Sequence, residues 1–216
     1  MYREIEIGKW KRREIFHYFW KTAPTGYSLT AMLDVTRLYH AIRERNLKFF
    51  PAYIYITTRA INGIDEFMYG IRDGRLVLYD SLTPLFPQLN DDRTISMSWL
   101  EWNPSFSAFH ESYLEEQRTR KQGGFLSRPD LVPPPEAYTI SLLPWVGFSH
   151  FAVHTDYSAP YFFPSIEGGR FRKEGSRIEM PISVSAHHAT TDGYHVSLLL
   201  DSIQGYMDSP DDILRS

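Results

Sequence analysis

The chain has 216 residues, a formal net charge of -3, 43% hydrophobic and 23% charged residues, and no cysteine. That length suffices for one domain, residues 1–216, with a substantial core; the mild charge argues against nucleic acid as the main partner, and the missing cysteines exclude disulfides, thiolate metal sites and a cysteine nucleophile. A reducing, cytoplasmic setting fits, because the N-terminus lacks the apolar stretch of a secretion signal and no run approaches the ~18 apolar residues of a membrane span.

Residues 2–7 alternate as a strand does. Lys9 to Trp20 carries Trp10, Ile15, Phe16 and Phe19 at helical spacing. Gly26 turns the chain into a strand over Tyr27–Met32, and Asp34 can cap a helix running to about Arg45. The apolar run Pro51 to Ile64 predicts a buried helix that begins near its proline. Phe67–Ile71 and Leu76–Tyr79 flank Asp73-Gly74, a strong hairpin signal. Arg93–Trp99 reads as a strand, and Pro104–Gln122 as a long polar helix closed by Gly123-Gly124. Ser127 to Pro135 is a proline-rich, rigid extended connection. Three strand-like runs follow, Tyr138–Leu143, Phe148–His154 and Arg177–Ala186, and then a closing helix, Ser197–Met207. Strands, helices and a hairpin in this mixture predict an α/β layered domain with a mixed sheet.

The run His187-His188-Ala189-Thr190-Thr191-Asp192-Gly193-Tyr194-His195 stands out in a chain with 8 histidines. Histidine titrates near neutral pH and suits a general base. The run falls where the strand 177–186 ends and before a helix beginning near Asp192, a junction that exposes side chains between two rigid elements. In a continuous helix His188, Asp192 and His195 would share a face and could bind a metal; Gly193 and the preceding strand argue against that helix. Ser141 could join His188 and Asp192 as a hydrolytic triad, but its neighbours, Thr139-Ile140-Ser141-Leu142-Leu143, contain no nucleophile elbow. His17, His40, His110, His150 and His154 read as structural or surface residues.

The chain resembles the chloramphenicol acetyltransferases, the trimeric class of the CoA-dependent acyltransferase superfamily. The family's HHxxxDG[FY]H signature is complete at His187–His195. Trp10-Lys11-Arg12-Arg13-Glu14 is similar to its W-x-R-R/K-E motif, and Gly26-Tyr27-Ser28-Leu29-Thr30 to its G-F-S-L-T. Lys48-Phe49-Phe50-Pro51 is similar to its K-F-Y-P, and Ser141-Leu142-Leu143-Pro144-Trp145-Val146 to its S-A-L-P-W-V. The motifs occur in the family's order from end to end. HHxxxDG alone is shared with dihydrolipoyl acyltransferase cores and peptide-synthetase condensation domains; the former is the less expected reading, since the sequence shows no lipoyl or subunit-binding segment ahead of these motifs.

The resemblance implies a two-layer α/β sandwich with a large mixed sheet and packed helices. It implies acetyl transfer from acetyl-CoA to a hydroxyl of chloramphenicol, antibiotic inactivation, without an acyl-enzyme and without a metal. His188 takes the place of the general base, oriented partly through its own backbone carbonyl. Asp192 pairs with Arg12 to hold the turn, and Ser141 bonds the oxyanion. His187 and His195 are supporting residues, and Gly193 permits the tight turn. The family is a homotrimer with interfacial sites, His188 coming from one chain and most of the acceptor pocket from its neighbour. Phe19, Tyr27, Phe151 and Val153 map onto that pocket. Arg170 and Phe171 fall where the family meets the adenine and phosphate end of CoA.

Drug-modifying members carry a threonine where Glu167 stands, and that threonine holds a water against the intermediate. They carry phenylalanine at Tyr27 and apolar residues at Thr155 and Ser165, so the pocket here is expected to be more polar. Two rival expectations follow: the same chemistry on another alcohol or amine, and a non-catalytic trimer that keeps the fold as a binding module.

Overall fold

The computed structural model describes residues 1–214. The chain opens with strand β1 (Tyr2–Glu4), a 3-10 turn (Ile7–Lys9) and helix α1 (Arg13–His17), which widens into a π turn (Tyr18–Thr22). Strand β2 (Gly26–Asp34) leads into α2 (Thr36–Glu44) and α3 (Phe49–Ile61). Strands β3 (Tyr69–Arg72), β4 (Arg75–Tyr79), β5 (Thr83–Leu89) and β6 (Ile95–Trp99) come next, followed by α4 (Phe106–Thr119). Then come β7 (Ala137–Leu142), β8 (Ser165–Gly168), β9 (Arg172–Glu174), β10 (Arg177–His187), α5 (Gly193–Asp208) and α6 (Pro210–Leu214).

The large sheet runs β2-β10-β8-β7-β5-β6, with β9 beside β10; β1-β4-β3 form a small second sheet. β7 is parallel to β5 and β8, while the other pairs in the large sheet are antiparallel. The sheet is therefore mixed, and helices α2, α3 and α5 pack on it.

Period-two alternation in β10 creates two unlike faces. Ile178, Met180, Ile182, Val184 and Ala186 are buried on the helix side; Met180, Ile182 and Val184 are fully buried, each worth about 1.5–3 kcal/mol. Pro181, Ser183, Ser185 and His187 point the other way. Register partners share a face, so Thr30 (β2), Ser183 (β10), Glu167 (β8) and Ser141 (β7) form one polar row across the sheet. Ser28, Ser185, Ser165 and Thr139 form the next row. One face is thus an apolar core and the other a field of hydroxyls.

That hydroxyl face explains a correction. Phe148–His154 is not a strand. It crosses over the sheet, and its backbone bonds side chains rather than a sheet edge. Phe151 N–H donates to Thr30 Oγ1 (3.4 Å), Val153 N–H to Ser185 Oγ (3.1 Å), and the Ser183 hydroxyl to Phe151 C=O. His150 lies against Ser28 and Thr30.

Other boundaries shift for local reasons. The first expected helix, Lys9–Trp20, is broken into the 3-10 turn, α1 and the π turn, with Phe16 as its buried anchor. The strand expected over residues 2–7 shrinks to β1. α3 begins at Phe49, two residues ahead of Pro51. α4 starts behind its Ser105 cap, which accepts the Ala108 N–H at 3.3 Å, and ends at Thr119, short of Gly123. α5 begins at Gly193, four residues before the expected Ser197. β5 was hidden by Pro84 and Pro87. β7 meets only Thr83–Leu85, so Pro87 lacks a ladder partner on that side and its missing N–H costs nothing there. The Asp73-Gly74 hairpin is as expected, both residues having positive φ (50° and 75°).

Gly26 sits where the fold reaches the histidine run. A Cβ there would lie 1.9 Å from the Tyr157 ring, and the Tyr157 carbonyl bonds His187. Gly26→Ala is expected to displace Tyr157 and cost about 1–3 kcal/mol, seen as a lowered melting temperature. An unchanged melting curve would refute the contact.

Candidate active site

β10 ends at His187 and α5 starts at Gly193, so His188–Asp192 is a turn between a central strand and a helix. His188, Asp192 and His195 therefore do not share one helix face. Among the described residues no group of His, Asp and Glu is arranged to hold a metal.

The two adjacent histidines have opposite tautomers. His187 is 2% exposed; its Nε2 donates to Tyr157 C=O at 2.9 Å, and its Nδ1 accepts the Ala189 N–H at 3.0 Å. Both nitrogens are occupied, and burial, first, holds its pKa below the usual histidine value. His187 is a structural pin.

His188 Nδ1 lies 3.0 Å from the Thr191 carbonyl. A carbonyl only accepts, so Nδ1 carries the proton and Nε2 of the neutral ring keeps its lone pair. The expected orienting group was the residue's own carbonyl; Thr191, three residues on, does it instead because the turn curls back. Phe19 stacks on the imidazole (centroids 4.0 Å, planes 5° apart) and Tyr27 lies 5.1 Å away. Thr25 C=O accepts the His188 N–H at 2.9 Å. Tyr27 donates to Thr191 Oγ1 (3.2 Å), which donates to His187 C=O (3.0 Å). Burial pushes the Tyr27 phenol up to about 12, so it stays a neutral donor.

Asp192 caps α5, accepting the Tyr194 N–H at 3.0 Å. Its carboxylate meets Arg12 Nη1 at 3.2 Å, while His195 Nδ1, 2.9 Å from that carboxylate, accepts the Asp192 backbone N–H at 3.2 Å, and His195 Nε2 lies 3.5 Å from Glu66. Burial alone would raise the Asp192 pKa; His195, Arg12 and the Tyr194 amide outweigh it and hold it below the usual value. Arg12 and Asp192 are 180 residues apart in sequence. Gly193 has no positive φ and open space around its Cβ position, so the turn does not demand glycine there.

Ser141 does not join His188 within one chain. It is in register with Glu167, and Glu167 with Ser183. His188 lies five residues beyond Ser183 and two strands across, a separation of about 19 Å from strand spacing and rise. The hydrolytic triad is excluded, since Asp192 serves Arg12 and His195.

The residues expected around the acceptor divide likewise. Phe19 and Tyr27 surround His188. Val153 lines a pocket of about 180 Å³ on the hydroxyl face, with Thr139, Ser165 and His187. Phe151 packs on Phe148 (5.5 Å). Glu167 is 3% exposed and accepts a hydrogen bond from the pocket residue Ser165; burial raises its pKa to about 7, against a lowering by Ser165. Arg170 lines a second pocket of about 400 Å³ with Arg172, Phe148 and Pro181. Phe171 packs elsewhere, edge-on to Phe49 (4.8 Å) and Tyr39 (5.7 Å). Thr191, Tyr157, Thr139 and Arg172 carry no local sequence signal; each acts through a neighbour or a register that only folding creates.

The fold is that of the CoA-dependent acyltransferases. A solved chloramphenicol acetyltransferase superposes with a TM-score of 0.85 at 23% identity, over 96% of this chain and 100% of that one. A probable dihydrolipoamide acetyltransferase from Listeria monocytogenes gives 0.67 at 13%, over 96% and 94%. The family profile described as chloramphenicol acetyltransferase matches residues 1–204. A chloramphenicol acetyltransferase of Staphylococcus aureus is 34% identical over 215 residues, 99% of both chains. Chloramphenicol acetyltransferase 3 of Escherichia coli is 32% identical over 204 residues, 94% of this chain and 95% of its own. The chain belongs to the chloramphenicol acetyltransferase family and is an acyltransferase.

Proposed function

We propose that residues 1–216 form one cytoplasmic acetyltransferase domain that moves acetyl from acetyl-CoA to a hydroxyl of chloramphenicol, in a homotrimer with shared sites. The observation that carries the reading is His188: its Nδ1–H is bound to Thr191 and its ring clamped by Phe19, with Nε2 left to act as a base. Nε2 takes the acceptor's hydroxyl proton as that oxygen attacks the thioester carbonyl. The Ser141 hydroxyl of a second copy bonds the tetrahedral oxyanion. Collapse of the adduct expels CoA thiolate, which takes the proton back from the imidazolium, so no acyl-enzyme forms. Arg170 and Arg172 offer two cations suited to CoA phosphates beside the apolar Phe148 and Pro181; Phe171, packed against Phe49 and Tyr39, takes no part in that pocket.

Thiol release from acetyl-CoA on adding chloramphenicol tests the reading; no release with chloramphenicol present would reject it. The separation of Ser141 from His188 supports sites shared between copies. His188→Ala and Ser141→Ala, each nearly inactive alone, are expected to recover about a quarter of wild-type activity when refolded together, because random assembly pairs intact halves at that frequency. No recovery would place both residues in one chain's site. A different alcohol or amine acceptor is the second reading, favoured by the polar Thr155 and Ser165 lining the pocket and by Glu167, which Ser165 bonds. A panel of acceptors in the same assay decides between them.

A further inference from the structure

A chain of hydroxyls leads from the 180 Å³ pocket to a buried carboxyl. Thr139 Oγ1 donates to Ser165 Oγ at 2.7 Å, and the Ser165 hydroxyl donates to Glu167 Oε1. Thr139 and Ser165 both line the pocket, with Val153, Thr155, Tyr157 and Ser185. Glu167 is 3% exposed, and its other oxygen, Oε2, is buried without a hydrogen-bond partner among the described residues. Such a group is costly to keep in a sheet interior unless it does something there.

The chain has a direction. A carboxylate oxygen only accepts, so Ser165 must aim its single proton at Glu167. Its lone pairs then face Thr139, which donates to them. Thr139 is left with lone pairs only, and the same holds for the remaining lone pair of Ser165. Two hydroxyls that could each donate or accept become a wall that accepts. Were Glu167 protonated on Oε2, Oε1 would remain a carbonyl-type acceptor and the direction would persist.

We propose that Glu167 is a positioning residue that fixes the polarity of the Thr139–Ser165 wall, so that the pocket selects acceptor molecules whose buried end carries a hydrogen-bond donor, a hydroxyl or an amine, over those whose buried end only accepts. The proposal rests on this pocket being the acceptor site of the acetyl transfer. It deepens that reading by naming the chemistry of the buried end. A neutral or charged amine fits best, because it can also lie close to the carboxyl's field.

Equilibrium binding to the full chain tests it. Chloramphenicol, whose aryl nitro group only accepts, is compared by calorimetry with its counterpart in which the nitro group is reduced to an amine. All other polar groups are common to both and cancel in the ratio. Wild type is expected to bind the amine about tenfold more tightly, the effect of one satisfied against one unsatisfied polar contact. In Glu167→Leu no acceptor faces Ser165, its proton is free to turn towards the pocket, and the ratio should fall towards one. Ser165→Ala cuts the chain with a small change in volume and should do the same. A purely structural role would weaken both compounds alike and leave the ratio unchanged. The proposal is overturned if wild type does not prefer the amine, if Glu167→Leu keeps the wild-type ratio, or if neither compound binds. Acetyl transfer is not read in this measurement, so its outcome stands apart from the thiol-release result.

Discussion

Replacing His188 with alanine is expected to lower kcat by about 10²–10⁴, the usual worth of a positioned general base, while the neighbouring His187→Ala should act mainly on stability. The contrast follows from hydrogen bonding. His188 is half-buried and keeps Nε2 free, its other nitrogen bound to Thr191 C=O. His187 has both nitrogens engaged inside the protein. Its loss leaves the Tyr157 carbonyl and the Ala189 N–H without partners and opens a cavity beside Phe162, whose ring lies 4.8 Å away. About 2–4 kcal/mol is expected from those terms together. Steady-state kinetics and urea unfolding on both variants provide the check. If His188→Ala unfolds the protein while His187→Ala chiefly slows it, the assignment of roles is reversed.

Glu167→Gln is expected to stabilise the protein above neutral pH by up to about 3 kcal/mol relative to wild type. Burial raises the carboxyl pKa from its ordinary 4.5 to about 7, and a shift of that size is equivalent to about 3 kcal/mol. The folded state therefore holds the Glu167 proton more tightly than the unfolded state does. That contribution is fully present below about pH 4.5 and is lost as pH rises through 7. Glutamine carries no such proton, so its advantage should grow across this window. Urea midpoints for both proteins at pH 5 and pH 8.5 measure it; an equal difference at the two pH values would show that Glu167 is not a buried acid. Asp192 has the opposite sign. Its lowered pKa makes its contribution present at neutral pH and lost only in acid, so it does not interfere within this range.

Much of this was visible one element at a time. The alternation of Ile178, Met180, Ile182 and Val184 with Pro181, Ser183 and Ser185 marks β10, and Asp73-Gly74 marks the hairpin, because these signals depend only on near neighbours. β5 was masked by its two prolines, and β8 and β9 are too short to show a period. Phe148–His154 has the apolar alternation of a strand, whereas its partners are hydroxyls on a sheet face. Those hydroxyls come from β2 and β10, far away in the chain.

Residue chemistry and order along the chain by themselves determined the α/β class, the strand-to-helix setting of the histidine run, and the family, since each rests on local pattern or on motifs in sequence. Tertiary structure alone decided which carbonyl orients His188, that His195 lies beside the Asp192 carboxylate, and that Ser141 lies too far from His188 for one chain to unite them. It also decided that Glu167 ends a hydroxyl chain begun at Thr139. The physical reason is common to all four: strand register and a turn's curvature set which polar groups come within about 3 Å, and neither is written in the spacing of residues along the chain.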